Sequence, residues 1–449
     1  GTSYSYADVD VLSARVAAGL RSSGIKRGGR VAIFLPNRAE FIFAYLGAAR
    51  LGALVVSLSP QMKRDEVRYI LSDSSASVIF TDSERRHQVP DDVPTLKEVI
   101  LCDSGDAEGC RLSVWLSEPG PLLEPTQAEP GDDLALLYTS GTTGFPKGVT
   151  LTHGNVGFAV ETLARYCKTA SEDRLLLMVP LSHCYGQNLV LNHALKASAT
   201  IVLLGGFDPQ QLLALIERER ITMLFGVPAM YSSLLDACTN PEQLQSVRYC
   251  MSGAISLPEK IALAWFERFG LCIHQGYGLT ESSPLASYNH FPQTWPNSIG
   301  RPVDGVEMRL MDEDGLDPGA GKPGEILIRG PNVMKGYWNK PQETSTTIQN
   351  GWLHTGDLGR CDAEGNFYVI DRLKDMIHVS GLKAYQAEVE LVLNQYPADR
   401  EAAGLVGINV GRMAMWSFVI AAAIGAIAGL IITPLTLTSV NVGLMLGFK

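Results

Sequence analysis

No Cys-x-x-Cys pair occurs among the eight cysteines of this 449-residue chain, so neither a zinc site nor a disulfide framework is indicated. The cysteines read instead as reduced cytosolic thiols, mostly small core residues. Long basic runs are also missing. Arg85-Arg86-His87 is too short to be a nucleic-acid footprint, and the formal net charge is −10. Gly1 to Tyr6 is polar and lacks the basic and apolar regions of a secretory leader, so none is expected there. Two familiar nucleotide motifs fail as well. Gly319-Ala320-Gly321-Lys322-Pro323-Gly324 matches G-x-G-x-x-G, but prolines flank and interrupt it, with no strand leading in and no helix following. A Walker A loop is excluded because Pro146 stands where its second glycine belongs.

What is present is a phosphate-loop composition at Tyr138 to Val149, Tyr-Thr-Ser-Gly-Thr-Thr-Gly-Phe-Pro-Lys-Gly-Val. The apolar run Leu134 to Leu137 before it predicts a buried strand. Gly141, Gly144 and Gly148 permit close backbone approach, and exposed N–H groups in such a loop cradle phosphate oxygens. Thr139, Ser140, Thr142 and Thr143 add hydroxyl donors, and Lys147 adds a point charge. On composition alone, an ordinary polar loop between strand and helix is the competing reading.

At this length two or more domains with ample core are expected. Helical and strand patterns alternate from residue 8 to 235: Arg30 to Leu35, Ser77 to Thr81 and Ile221 to Phe225 as strands; Glu40 to Leu51, Glu66 to Leu71, Pro209 to Arg218 and Pro228 to Ala237 as helices. That alternation predicts an α/β fold with parallel-type sheets covered by helices. Ser104 to Asp133, rich in Gly, Pro, Glu and Asp, reads as a surface connection. From Ile299 to Ile370, short strands separated by turns such as Asp312 to Gly315 predict a small β-rich subdomain.

The loop string resembles the signature of the adenylate-forming enzymes: acyl-CoA synthetases, aryl-CoA ligases, luciferase and the adenylation domains of peptide synthetases. Four further strings follow in that family's order, and the resemblance covers about residues 1–408. In Gln275-Gly276-Tyr277-Gly278-Leu279-Thr280-Glu281, it implies adenine contact at Tyr277, α-phosphate contact at Thr280 and Mg²⁺ at Glu281, a hard oxygen ligand. In Gly351-Trp352-Leu353-His354-Thr355-Gly356-Asp357, it implies a ribose-binding carboxylate at Asp357. In Asp371-Arg372-Leu373-Lys374-Asp375, it implies ribose contact at Arg372 and a hinge at Lys374. In Pro180-Leu181-Ser182-His183-Cys184-Tyr185-Gly186, it puts His183 at the mouth of an acyl pocket.

The implied organisation is a large N-terminal adenylate-forming domain over residues 1–371, a hinge at 372–375, the truncated start of a C-terminal lobe at 376–410, and a hydrophobic tail at 411–449. The implied chemistry is ATP-dependent activation of a carboxylic acid to acyl-AMP, then thioester formation with coenzyme A. Apolar, partly small residues at Phe225-Gly226-Val227, Met251 to Ile255 and Leu279 suit a medium- or long-chain fatty acid, with an aryl or hydroxycinnamic acid as the alternative. Between Lys383 and the end only Lys449 remains, so the family's late catalytic lysine has no counterpart and poor turnover is expected of the chain as written.

Met413 to Ile432 is a run of twenty residues without a charge, long enough for a bilayer core, and it contains Gly425-Ala426-Ile427-Ala428-Gly429. The tail resembles a fragment of branched-chain amino-acid ABC transporter permeases. Two readings follow: a fused, unrelated fragment, or a membrane tether that keeps a cytoplasmic enzyme at the membrane. A transport role is the remote third, because one helix cannot form a path.

Overall fold

The computed structural model describes residues 2–103, 111–117, 122–139, 145–290, 297–373, 377–379 and 382–384. Contacts divide the chain into two compact units, Gly1–Leu373 and Lys374–Lys449. In the second unit, Ile377–Val379 and Leu382–Ala384 pair as an antiparallel ribbon. Lys374, the helical pattern after Ala384 and the hydrophobic tail at 411–449 lie outside the described residues. Among the described residues, no helix is long and apolar enough to cross a membrane.

The first unit is an α/β assembly of three sheets. The first has seven strands in the order Gly336–Tyr337, Lys147–Thr152, Asp133–Thr139, Leu54–Ser57, Arg30–Phe34, Val78–Thr81 and Glu98–Leu101. Its last five strands run parallel, and Lys147–Thr152 turns back antiparallel to Asp133–Thr139. Val31, Ile33, Val55, Val56, Ile79 and Phe80 are all essentially inaccessible, so side chains of both faces are covered. Such strands read as near-continuous apolar runs, as parallel strands under helices do.

The second sheet also has seven strands, Arg301–Pro302, Ser287–Tyr288, Ile273–Tyr277, Tyr249–Ser252, Met223–Gly226, Arg174–Leu177 and Thr200–Leu203. The five from Ile273–Tyr277 onward are parallel. The third sheet is antiparallel and carries Glu307–Met311, Gly324–Arg329, Trp352–Cys361, Ile348–Gln349 and Phe367–Arg372. One apolar core joins all three, with Ile33 and Val55 from the first, Phe225 and Met251 from the second, and Ile326 and Leu353 from the third.

The four helices read from the sequence are present as Ala39–Arg50, Arg64–Ser74, Pro209–Glu219 and Pro228–Ala237. Tyr6–Ser22 begins at Ser5, whose hydroxyl accepts the Asp8 N–H while Asp8 reaches back to the Ser5 N–H at 2.8 Å, a reciprocal cap. Pro228–Ala237 starts on its proline, where the missing N–H costs nothing. The segment 104–133 is more than a surface connection. It contains the helix Arg111–Ser117, whose Leu112 and Trp115 are buried. Trp115 meets Phe80 edge-on at 6.1 Å and lies against Gly19, where a Cβ would come within 2.1 Å of the indole. The helix Pro341–Thr347 also interrupts the expected β-rich region. The Gly319–Gly324 string is a turn: Gly319 and Gly321 have φ of +83° and +77°, and the strand Gly324–Arg329 follows.

Candidate active site

In open α/β sheets, ligands are bound beyond the carboxyl ends of the strands. Thr139 ends a strand of the first sheet, and Gly226, Ser252 and Tyr277 end strands of the second. A cleft open to solvent lies where these ends meet, lined among others by Thr139, His183, Gly253, Thr280, Glu281 and Arg372. Five of the residues singled out in the sequence therefore face one space.

The phosphate-loop string is the turn of a β-hairpin, not a strand-to-helix connection. Thr139 and Lys147 are register partners at its base. Residues 140–144, including Ser140, Gly141, Thr142, Thr143 and Gly144, lie outside the described residues. The base is braced by the helix Arg64–Ser74: the Tyr69 hydroxyl donates to the Pro146 carbonyl at 3.0 Å, the Tyr69 ring stacks on Phe145 at 5.3 Å, and Tyr138 donates to Asp73 at 2.7 Å. Gly148 leaves room for this, since a Cβ there would sit 3.0 Å from the Tyr138 ring.

Glu281 lies in a short 3₁₀ turn, Thr280–Ser282, just past the second sheet. Its Oε1 accepts from Tyr337 Oη at 2.9 Å and, at the limit of hydrogen bonding, from Thr139 Oγ1 at 3.5 Å. Lys147 Nζ stands over the Tyr337 ring, 5.1 Å from its centroid. Thr280 is buried and its Oγ1 lies 3.3 Å from Cys184 Sγ. Cys184 in turn lies 3.6 Å from His183 Nδ1, which also accepts the Tyr185 N–H at 3.1 Å. His183 itself is exposed at the cleft rim. Its pKa is raised, chiefly by the neighbouring Cys184 sulfur. Behind it, Tyr185–Asn192 winds as a π-helix, an uncommon geometry that often marks functional sites. The Tyr185 hydroxyl donates to the Met251 carbonyl at 3.1 Å, tying this segment to the second sheet.

Asp357 is the buried member of the set, its side chain only 5% exposed. Oδ1 pairs with Arg372 Nε at 2.9 Å, and Oδ2 accepts from Tyr277 Oη at 2.8 Å. Burial still dominates, so the Asp357 pKa is raised despite the opposing pull of Arg372 and Tyr277. The Tyr277 pKa is pushed far up, by burial first and by the Asp357 charge second. Tyr277 is thus joined through its hydroxyl to the carboxylate expected to hold ribose. The strand carrying Asp357 is irregular here and is held by Glu325, which accepts the Gly356 N–H at 2.9 Å and meets His354 Nδ1 at 2.9 Å. Gly356 has φ +70°, a conformation that favours glycine.

Any divalent cation here would be a guest of few protein groups. Among the described residues, no cluster of three or more His, Cys, Asp or Glu is placed to chelate one. Glu281 and Thr139 nevertheless offer hard oxygens within 3.5 Å of each other. That suits Mg²⁺, which keeps several waters and shares substrate phosphates.

Sequence reading missed Tyr337, Glu325 and the position of Cys184. Tyr337 reaches the site because Gly336–Tyr337 pairs with Lys147–Thr152, and no local pattern announces that pairing. Cys184 sat inside a quoted string without a role.

The chain has relatives among known proteins. A family model described as AMP-binding enzyme matches residues 1–338. A feruloyl-CoA synthase from Amycolatopsis sp is 35% identical over 422 residues, covering 91% of this chain and 81% of that protein. A long-chain-fatty-acid–CoA ligase from Bacillus subtilis (strain 168) is 34% identical over 438 residues, covering 89% and 78%. The crystal structure of ATP-bound MatB from Rhodopseudomonas palustris superposes with a TM-score of 0.81 at 29% identity, covering 87% of this chain and 78% of that one.

Proposed function

The chain belongs to the AMP-binding enzyme family as an acid–thiol ligase of the AMP-forming acyl-CoA synthetase kind, and from that premise we propose that it activates a medium- or long-chain fatty acid. A carboxylate oxygen attacks the α-phosphorus of ATP in line, the new O–P bond forms, and pyrophosphate leaves with the broken α–β bridge oxygen. The thiol sulfur of coenzyme A then attacks the acyl carbonyl of the mixed anhydride, and AMP leaves. Both partners in the first step are anions, so positioning and charge neutralisation carry the catalysis.

In this reading Asp357 accepts the ribose hydroxyls, with Arg372 beside it. Lys147, Thr139 and the loop residues Ser140 to Gly144 hold the triphosphate, and Thr280 contacts the α-phosphate. Glu281 and Thr139 would hold Mg²⁺, which when bound offsets phosphate charge. Tyr277 borders the adenine. His183 shapes the approach of carboxylate and thiol, and the chain pivots at Lys374 between the two steps.

The observation that carries the proposal is that Thr139, Glu281 and Arg372, from three different sheets or their carboxyl ends, line one cleft, with Asp357 paired to that Arg372. For the acid, Leu189, Met251, Gly253 and Ala254 give the cleft an apolar side suited to an alkyl chain. A hydroxycinnamic acid is the second reading, favoured by the similarity to a feruloyl-CoA synthase. The decisive test is ATP–pyrophosphate exchange across a panel of fatty and aromatic acids, with a Lys147→Ala, Glu281→Ala double variant as control. Exchange is expected with alkanoates and lost in the control. Faster exchange with cinnamates would overturn the fatty-acid assignment, and exchange surviving in the control would overturn the site. The tethering proposal for residues 413–432 is tested separately: recovery of the expressed chain only in the soluble fraction would end it.

A further inference from the structure

We propose that Tyr337 is a positioning residue that keeps Glu281 and Lys147 apart and available, the one for metal and the other for phosphate. The inference rests on the roles given to those two residues above. A carboxylate and an ammonium that contact the same side chain attract one another. Among the described residues, no ion pair joins Lys147 to Glu281. Tyr337 engages both instead. Its hydroxyl donates to Glu281 Oε1 at 2.9 Å, and its ring face receives the Lys147 ammonium at 5.1 Å, as cation–π contacts do.

The tyrosine is held firmly enough for this. Tyr337 pairs with Val149 across the strand ladder, and the flanking Lys335 and Trp338 N–H groups donate to the Thr150 and Gly148 carbonyls at 3.0 and 2.7 Å. Its own N–H donates to Thr344 Oγ1 at 2.9 Å, on the helix Pro341–Thr347. The strand that carries Tyr337 is thus bonded to the strand that begins at Lys147. The ring and the ammonium keep their relation because their backbones do.

The hydrogen bonding at Glu281 is one-sided. Both Tyr337 and Thr139 address Oε1, leaving Oε2 without a protein donor among the described residues. A carboxylate anchored through one oxygen presents the other in a fixed direction, which is what a cation that accepts one or two protein ligands requires.

The test measures binding rather than turnover. Mn²⁺ is titrated into enzyme saturated with α,β-methylene-ATP, and free Mn²⁺ is read by electron paramagnetic resonance. Analogue affinity without metal is measured in chelator. Tyr337→Phe removes one oxygen and keeps the ring. It should weaken Mn²⁺ binding about 10-fold, the effect of losing a charge-assisted hydrogen bond, and leave metal-free analogue affinity unchanged. Tyr337→Leu also removes the ring, so Lys147 falls onto Glu281 and metal-free affinity should drop about 10-fold as well. Glu281→Gln is the control. If Glu281→Gln loses Mn²⁺ but Tyr337→Phe binds it within about threefold of wild type, the inference about Tyr337 is wrong and the metal site stands. If Glu281→Gln binds Mn²⁺ as wild type does, the site assignment itself fails and the inference with it. Melting curves identify a variant that does not fold, and the Phe variant decides the question if the Leu variant is lost.

Discussion

Asp357→Asn separates binding from stability, because the two should move in opposite directions. The side chain is 5% exposed and its pKa is raised, so removal from water outweighs Arg372 at 2.9 Å and Tyr277 at 2.8 Å. The folded protein therefore favours the neutral carboxyl, and a neutral isostere should cost little. We expect a melting temperature that is unchanged or slightly higher at pH 7.5. Ribose recognition has the reverse sign. An ionised carboxylate accepting hydroxyl hydrogen bonds contributes about 1.5–3 kcal/mol per charge-assisted bond, so the variant should bind ATP about 10- to 100-fold more weakly. Isothermal titration with an ATP analogue and thermal melts on the same samples supply both numbers. Wild-type affinity in a folded variant would refute the ribose assignment, and a fall of more than about 5 °C would refute the electrostatic account. The raised pKa also fixes a sign for pH. Asp357 contributes most to stability at low pH and loses that contribution as pH rises through its raised value, whereas ATP affinity should fall as pH drops through that same value.

Gly278→Ala would place a Cβ 2.0 Å from the Pro284 carbonyl oxygen, a backbone contact that no rotamer relieves, so a loss of about 1–3 kcal/mol in chemical denaturation and a weakened exchange reaction are expected. Gly276→Ala is the matched contrast, because its clash at 2.2 Å is with the flexible end of Met251, and its loss should be smaller. Equal losses would show that the Gly278 backbone yields. Buried His193 is held neutral by burial, with its pKa pushed down to about 4. That depressed value contributes stability above the unfolded pKa of about 6.5, and the contribution is lost as pH falls from there toward 4, about 3 kcal/mol in all. Denaturation of wild type and His193→Gln between pH 7.5 and 4.5 should show the excess slope in wild type, and parallel slopes would exclude His193 as its source.

The parts of the fold legible in the sequence are those written in consecutive residues. Pro228–Ala237 was readable from its proline start and apolar spacing, and Val78–Thr81 from its run of β-branched and aromatic residues. Thr139, His183, Thr280, Glu281 and Arg372 stand in short strings of consecutive residues, which is why they could be singled out before the structure brought them to one cleft. What failed was decided by distant partners. Arg111–Ser117 is short and sits among turn-forming residues, and distant partners, Gly19 and Phe80, make Trp115 a core residue. Glu325 looks like any exposed strand carboxylate until the pairing of Gly324–Arg329 with Trp352–Cys361 brings it under Gly356. Tyr337 looks like one aromatic among others until Gly336 meets Thr150.

That last pairing bears on how the molecule comes into being. Thr150 and Gly336 are neighbours in one sheet but far apart along the chain, and Arg372 lies further still. Contacts of such long sequence separation close late and slowly, because the loop entropy falls due before the contact rewards it. On the ribosome, the hairpin of Lys147 and the parallel strands around it can form while the residues that flank their charges have not yet been made. A nascent chain therefore carries Lys147 before Tyr337 and Asp357 exist, and holds only part of the cleft. On the proposed assignments, complete nucleotide recognition waits until the third sheet docks.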